Sequence, residues 1–302
     1  MSLLAQKHFV IFGCGYVGGA LADAALAQGA RVTALTRNRE KAAALAQRGV
    51  EVVLGELGAS DWHNRIEAGA DLVANTVSAS DSSVEGYRRS YVEGMRSILA
   101  WAARGTRPVG TFFYTSSTGV YPQGGGAIVE ESASTVGASP TGAVLVEAEN
   151  LLRAAPSSVV ARWFVLRLAG IYGPGRHHLL NALRAGTTQF AGDPKFRMNL
   201  AHRDDIVSAL LACVAAPPAV RNEIFNVSDD APATKAELLG WLARELNLPA
   251  PSFEGAAPGS ARKGGVPTPD RIIRSEKIRR LLGWTPRFLD FRAGYAELLR
   301  EL

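Results

Sequence analysis

The chain has 302 residues, of which 47% are hydrophobic and 20% charged, and these proportions are those of an ordinary globular protein. That length allows one large α/β domain and a smaller appended one, each with its own core. The formal net charge of +5 is spread along the chain without a run of Lys or Arg longer than a pair, so the sequence favours a small anionic ligand and argues against nucleic acid.

Two cysteines, Cys14 and Cys213, lie far apart and form no CxxC or Cys/His cluster. The sequence therefore predicts packed, reduced thiols, with neither a disulfide framework nor a metal site. A glycine loop begins at Gly13, so no signal peptide fits before it, and no apolar run is long enough to span a bilayer. We expect a cytoplasmic protein without membrane contacts.

Strands and helices alternate from the N-terminus to residue 168. The predicted strands are near-continuous apolar runs, which indicates that both faces of the sheet are buried. This pattern predicts an α/β protein of the Rossmann type with a doubly wound parallel sheet, and Asn38 is expected to cap the second helix. The predicted strands cover residues 8–12, 31–36, 50–54, 71–77, 109–115 and 159–168, and the helices cover residues 20–28, 39–48, 84–104 and 141–155.

The pattern changes after Gly170, where Gly and Pro become frequent. We expect a Rossmann domain over residues 1–170 and a smaller C-terminal α/β substrate-binding domain over residues 171–302, with residues 204–215 returning to the first domain. One of the two aspartates that open this returning helix is expected to cap it. The elements predicted here are helices over 178–184 and 204–215, a strand over 223–227 and a loop over 249–269.

The motif Gly13-x-Gly15-x-x-Gly18 lies between a predicted strand and a predicted helix. Gly13 permits the tight turn, Gly15 lets the backbone approach a pyrophosphate, and Gly18 lets helix and strand pack closely. The free N–H groups and the dipole at the helix N-terminus favour phosphate. The sequence therefore predicts a dinucleotide site, whose expected contacts are Gly13, Gly15, Tyr16, Val17, Gly18 and Thr76.

The end of the second strand is expected to meet the adenosine ribose. An NAD-specific site usually has Asp or Glu there, whereas this chain has Thr36 and Arg37. Arg can bind a 2′-phosphate through paired hydrogen bonds, so we favour NADP over NAD; the alternative is that Arg37 is a solvated surface residue. Glu56 and Leu57, which follow the third strand, are expected near the adenine.

Further segments carry a family resemblance: YTSSTGVY at 114–121, LRLAGIYGPG at 166–175, LAHRDDI at 200–206, FNVS at 225–228, and a C-terminal segment at 275–286 that contains LGWTP. With the glycine loop, they resemble, nearly from end to end, the extended short-chain dehydrogenase/reductase family, its NAD-dependent epimerase/dehydratase group. The resemblance implies a ligand cleft at the carboxyl ends of the strands, between the two domains. It also implies NAD(P)-dependent epimerase, dehydratase or reductase chemistry on a nucleotide-sugar or another small carbonyl or hydroxyl substrate.

The chain departs from this family at the catalytic pair, a Tyr followed four residues later by a Lys on one helical face. The Lys lowers the pKa of the phenol, so that the Tyr can transfer a proton. Thr141 stands in the Tyr position and Leu145 in the Lys position, and none of the seven Tyr residues has a Lys four residues later. Tyr91 stands where the family has a helix Asn. Ser117 matches the family's catalytic Ser/Thr, although an isolated hydroxyl has no base beside it.

Three interpretations remain open. The first is an enzyme with a displaced acid, for which the candidates are Tyr121, Tyr91, Tyr172 and His202. The second is a reductase that depends on hydride geometry and substrate-derived protons, and the third is a non-catalytic dinucleotide sensor or binding partner. For the enzyme, Ser117, Tyr121 and Tyr91 are the predicted catalytic residues, and the expected partner is a small anionic substrate. The family resemblance also suggests a homodimer through helices 84–104 and 141–155. Glu147 and Glu149 are expected on a solvated or inter-helix face.

Overall fold

The computed structural model describes residues 2–254 and 269–300. The helices are α1 (Tyr16–Ala27), α2 (Arg39–Gln47), α3 (Val84–Tyr87), α4 (Gly94–Ala102), α5 (Pro140–Arg153), α6 (His178–Arg184), α7 (Arg203–Val214), α8 (Lys235–Glu245), α9 (Glu276–Leu282) and α10 (Phe291–Arg300). The strands are β1 (His8–Phe12), β2 (Arg31–Thr36), β3 (Glu51–Leu54), β4 (Leu72–Asn75), β5 (Thr111–Ser117), β6 (Ala127–Val129), β7 (Trp163–Leu168), β8 (Gly170–Tyr172), β9 (Gln189–Ala191), β10 (Arg197–Met198), β11 (Leu200–His202), β12 (Glu223–Val227), β13 (Ala233–Thr234), β14 (Ser252–Glu254) and β15 (Arg271–Ile273).

Seven parallel strands form the central sheet, in the order β12-β7-β5-β4-β1-β2-β3. The chain runs outward from β1 to β3 and then crosses back to β4 on the other side of β1. The predicted doubly wound Rossmann sheet is thereby confirmed. Because the order reverses between β1 and β4, their carboxyl ends open a crevice, and such a crevice is where open α/β sheets bind ligands.

Apolar residues on both faces of the sheet explain the near-continuous apolar strands. Every residue of β1 and of β7 is buried. On one face, Phe113, Phe164 and Phe225 stack across neighbouring strands beneath α1 and α7. On the other face, Trp62 and Trp101 pack together with α4 and α5.

A separate apolar cluster, which includes Leu180, Leu239 and Phe291, joins α6, α8 and α10. More of the chain returns to the central sheet than the predicted segment 204–215. Helix α7 packs on α1 and β7, and β12 then adds the edge strand beside β7. Ile278 of α9 and Trp284 also belong to the core of the central sheet. We therefore propose a Rossmann domain that includes these returning elements and a smaller domain built on the separate cluster.

Several local predictions need correction. The predicted helix 84–104 is interrupted by a π-helical turn over Arg88–Glu93. His202 caps α7 through its ring, in place of Asp204 or Asp205. The predicted cap Asn38 is confirmed, since its side chain accepts the N–H of Lys41. The predicted loop 249–269 contains β14, and its residues 255–268 lie outside the described residues. Within the described ranges, none of the helices has the length and apolar character that crossing a membrane requires.

Candidate functional site

The turn between β1 and α1 accepts only glycine at two positions. Gly13 has φ of +87°, and a Cβ there would lie 2.5 Å from the backbone nitrogen of Val77. A Cβ on Gly18 would lie 2.3 Å from Thr76 Oγ1 and 2.4 Å from the carbonyl oxygen of Gly13. The glycines thus let the turn, the first helical residues and the segment after β4 pack in direct contact.

Gly15 differs from these two glycines because it faces open space. A Cβ there would meet nothing nearer than the Gly13 carbonyl oxygen at 3.9 Å. Helix α1 begins directly after Gly15 without a side-chain cap and has no acidic residue in its first turn. Among the described residues, its first N–H groups therefore lack side-chain acceptors, and the helix dipole places a partial positive charge there. Open space before an uncapped helix fits the pyrophosphate of a dinucleotide.

The other predicted loop contacts have distinct surroundings. Val17 is buried and packs into the core, so it can meet a ligand only through its backbone. Thr76 donates its hydroxyl to the carbonyl oxygen of Gly13 at 2.8 Å. That bond connects the residue that follows β4 to the glycine loop, so Thr76 stabilises the conformation of the loop.

The predicted adenosine end lies at the carboxyl ends of β2 and β3. Arg37 and Glu56 are both about two-thirds exposed, and Arg37 Nη1 lies 3.7 Å from Glu56 Oε2. Thr36 Oγ1 accepts the N–H of Asn38 at 3.3 Å. Leu57 lies against α4, since a Cβ on Gly94 would come 2.7 Å from Leu57 Cδ2. Arg37 and Glu56 are therefore the accessible charged pair at this end.

An apolar wall lies on α5 around positions 141 and 145, where the family resemblance led us to expect an acid–base pair. Leu145 is buried in a cluster with Val120, Val129 and Ile273. Thr141 is half-buried, and its hydroxyl lies 3.4 Å from Ser139 Oγ. The helix keeps close contact with the turn after β5, because a Cβ on Gly142 would lie 2.6 Å from the Gly119 carbonyl oxygen. At positions 141 and 145, α5 therefore carries a hydroxyl and an apolar side chain beside the turn after β5.

Ser117 is the last residue of β5 and is half-buried. Its Oγ accepts the N–H of Gly119 at 3.0 Å, which leaves the hydroxyl hydrogen able to donate. Within residues 2–254 and 269–300, no carboxylate, imidazole or amine is hydrogen-bonded to it. Ser117 can therefore donate a hydrogen bond to a ligand oxygen, but it has no base to take up its proton.

Tyr121, predicted as a catalytic candidate, lies in a buried polar network. Its hydroxyl donates to Asn226 Oδ1 at 2.8 Å and accepts from Arg167 Nη1 at 2.9 Å. Burial raises the pKa of this phenol, although the Arg167 guanidinium opposes the shift. We therefore assign Tyr121 to the support of the site, because its hydroxyl is fully engaged there.

Glu149, expected on a solvated or inter-helix face, is only 1% exposed. It forms a bidentate ion pair with Arg167, with oxygen–nitrogen distances of 3.0 and 2.6 Å. The hydroxyl of Ser116 also donates to it at 2.6 Å. This pair links α5 to β7 directly behind the apolar wall.

Tyr91 occupies the π-helical turn between α3 and α4. Its Oη accepts the N–H of Ala79 at 3.1 Å, and its ring packs against Tyr87 at 5.2 Å between centroids. Its side chain also packs against the cluster that contains Leu145. Tyr91 thus fills space beside the apolar wall and binds the loop after β4, in a helical irregularity of a kind frequent at functional sites.

Tyr172 and His202, the remaining displaced-acid candidates, lie at the junction of the two apolar cores. Tyr172 stacks on Tyr295 at 5.0 Å between centroids, and burial raises the pKa of its phenol far above the usual range. Burial lowers the pKa of the His202 imidazole. The structure also brings Arg176 and Arg203 to the ring of Tyr16 at this junction, a grouping that the sequence did not predict because its members come from three distant segments.

Comparison with known proteins agrees with this architecture. Residues 9–228 match the profile of the NAD dependent epimerase/dehydratase family. Protein YeeZ of Escherichia coli K12 is 28% identical over 291 residues, which cover 94% of this chain and 97% of YeeZ. A functionally unknown conserved protein from Silicibacter pomeroyi is 25% identical, with a TM-score of 0.76 over 98% of this chain and 99% of that protein. UDP-glucuronic acid 4-epimerase from Bacillus cereus, in complex with UDP-glucuronic acid and NAD, is 17% identical, with a TM-score of 0.80 over 98% of this chain and 100% of the epimerase.

Proposed function

The chain belongs to the NAD dependent epimerase/dehydratase family, and we propose that it binds a nicotinamide dinucleotide without the acid–base pair of that family. The observation that carries the proposal is the open position at Gly15 before the uncapped N-terminus of α1. The fold shared with the B. cereus epimerase, whose complex contains NAD, supports the same site. When bound, the nicotinamide supplies hydride transfer.

The proposed cofactor preference is for NADP(H). Arg37 is exposed, and its contact with Glu56 at 3.7 Å is a surface ion pair of the kind that contributes at most about 1 kcal/mol. The guanidinium can therefore leave Glu56 for a 2′-phosphate, with which paired, charge-assisted hydrogen bonds are stronger. Glu56 opposes this binding by its charge, so Glu56→Gln is expected to increase the affinity for NADPH.

The proposed reaction is reductase-type hydride transfer to a small anionic substrate, for which a nucleotide-sugar is the leading class because the B. cereus relative is bound to one. Ser117 would orient the substrate by donating a hydrogen bond to its reacting oxygen. Neither Leu145 nor Thr141 has a side chain that can move a proton near neutral pH. After hydride transfer to a carbonyl carbon, the reacting oxygen therefore takes up its proton from water or from another group of the substrate.

The second candidate function is that of a dinucleotide sensor without turnover. The burial of Leu145 in an apolar cluster favours it, because a binding protein gains stability from a packed wall where an enzyme needs an ionisable group. A homodimer through the segments 84–104 and 141–155 stays a prediction for either function. Sedimentation as a monomer at high protein concentration would contradict it.

Calorimetric titration with NADPH and NADH tests the proposal. We expect NADPH to bind more tightly, and Arg37→Ala to weaken NADPH binding about tenfold while NADH binding changes little. Arg39→Ala is the matched control, since Arg39 is also exposed, lies two residues further along and has no ion pair among the described residues. Failure of both dinucleotides to bind would refute the proposed function. Oxidation of bound NADPH by nucleotide-sugars that carry a keto group then separates the reductase from the sensor.

A further inference from the structure

Three segments meet around Gly173, at the junction between the central sheet and the smaller apolar core. They are the first residue of α1, Tyr16; the turn after β8, Gly173; and the start of α7, His202 and Arg203. A Cβ on Gly173 would lie 2.8 Å from Tyr16 Oη and 3.1 Å from His202 Nε2. Both polar atoms therefore face the same point, next to the uncapped end of α1.

His202 presents a buried donor at this point. Its side chain is 1% exposed, and its Nδ1 accepts the N–H of Asp204 at 3.3 Å. An acceptor nitrogen carries no proton, so the proton of the neutral ring is on Nε2. Among the described residues, Nε2 has no hydrogen-bond partner. A buried donor without an acceptor is costly, and such an atom in a folded protein calls for an explanation.

Tyr16 adds a second unsatisfied group, since its buried Oη has no hydrogen-bond partner among the described residues either. Two guanidinium groups lie over its ring, with Cζ of Arg176 at 5.5 Å and Cζ of Arg203 at 5.3 Å from the centroid. Arg203 is paired with Asp204 at 2.8 Å. Arg176 is exposed and, within the described ranges, has no ion pair, so the cluster carries one uncompensated positive charge.

We propose that this cluster of Tyr16, Arg176, His202 and Arg203 binds a phosphate group of the ligand. The unsatisfied donors need an acceptor, the excess charge is positive, and the adjoining N-terminus of α1 also favours an anion. The phosphate comes either from the dinucleotide or from the substrate. If the phosphate belongs to the dinucleotide, the inference rests on the proposed function. The existence of a phosphate site does not rest on it.

Titration with inorganic pyrophosphate and with NADH tests the site in the wild-type protein and three variants. Arg176→Ala removes the free charge, and Tyr16→Phe removes one hydroxyl while keeping the ring. Arg184→Ala is the control, because Arg184 is an exposed arginine on the neighbouring helix α6. We expect pyrophosphate to bind about tenfold more weakly to Arg176→Ala and severalfold more weakly to Tyr16→Phe, with no change in Arg184→Ala.

The titration with NADH identifies the source of the phosphate. A parallel loss of NADH affinity in Arg176→Ala and Tyr16→Phe assigns the site to the dinucleotide. Uptake of pyrophosphate by NADH-saturated wild-type protein, weakened in both variants, assigns it to the substrate. Equal pyrophosphate binding by all four proteins, or none by the wild type, overturns the site even if NADH binds. If the wild type binds pyrophosphate through Arg176 but binds neither dinucleotide, the proposed function fails and the site stands.

Discussion

Replacement of Glu149 by Gln should destabilise the protein strongly, because it leaves Arg167 charged and buried. Both side chains are at most 5% exposed, and the carboxylate accepts two hydrogen bonds from the guanidinium and one from Ser116. Breaking a buried ion pair from one side costs about 3 to 5 kcal/mol. Gln keeps one acceptor oxygen, so we expect a loss of about 3 kcal/mol in the free energy of unfolding.

Urea denaturation followed by circular dichroism measures this loss, with Glu147→Gln as the control. Glu147 lies on the same helix and pairs with Arg88 and Arg96, but its side chain is 35% exposed. Its replacement should cost less than about 1 kcal/mol. The double variant Glu149→Leu/Arg167→Met should recover much of the stability, since an apolar pair of similar volume needs no desolvation.

Equal losses in Glu149→Gln and Glu147→Gln would refute this reasoning. They would mean that water or a rearranged side chain satisfies Arg167 once the carboxylate is gone. A double variant less stable than Glu149→Gln would show instead that packing around the pair matters more than its charge.

Three further predictions concern the site and its surroundings. Gly15→Ala should lower the free energy of unfolding by no more than about 1 kcal/mol, the cost of Ala in place of Gly at the N-cap, because its Cβ makes no contact closer than 3.9 Å. It should nevertheless weaken dinucleotide binding at least about tenfold in calorimetry, because the ligand is expected in the same space. Leu145→Lys should not create activity and should lower the free energy of unfolding by about 3 kcal/mol or more in urea, because it removes apolar burial and places an ammonium in an apolar cluster. Burial raises the pKa of Asp229 to about 7. Between pH 4 and 7 the unfolded chain therefore releases this proton while the folded protein keeps it. As a result, this group lowers the free energy of unfolding as the pH rises through that range. Relative to Asp229→Asn, the wild type should therefore lose about 1.4 kcal/mol per pH unit over that range, as urea titrations at several pH values would measure; a constant difference would contradict this.

Local sequence patterns were sufficient to predict the sheet and the glycine loop. The strands of a parallel sheet are buried on both faces, so each is a short apolar run that can be recognised without knowing its partners. The glycines at positions 13 and 18 are required by close contacts that include Thr76 and Val77 after β4, yet their spacing between a strand and a helix is a pattern that can be recognised without those contacts. The end of β2 predicts a 2′-phosphate contact at Arg37 in the same local way.

The supporting network could not be predicted in this way. Glu149 has the helical spacing of a surface carboxylate, and only the partner Arg167 on another element explains its burial. The hydroxyl of Tyr121 meets Asn226, 105 residues further along the chain. His202 caps α7 with its ring although two aspartates follow it, because Asp205 instead accepts the N–H groups of Arg287 and Phe288. Such pairings depend on tertiary contacts that have no local signature.

Because α1 has no side-chain cap, the stability of the folded protein is expected to depend on the concentration of a ligand that binds there. A ligand that supplies the absent acceptors binds the native state and not the unfolded chain, so it adds to the free energy of unfolding by mass action. At a free concentration one hundred times the dissociation constant, the gain is about 2.7 kcal/mol. We therefore expect resistance to proteolysis to increase with the concentration of free dinucleotide. The amount of this protein in the cell would then vary with the concentration of nicotinamide dinucleotide.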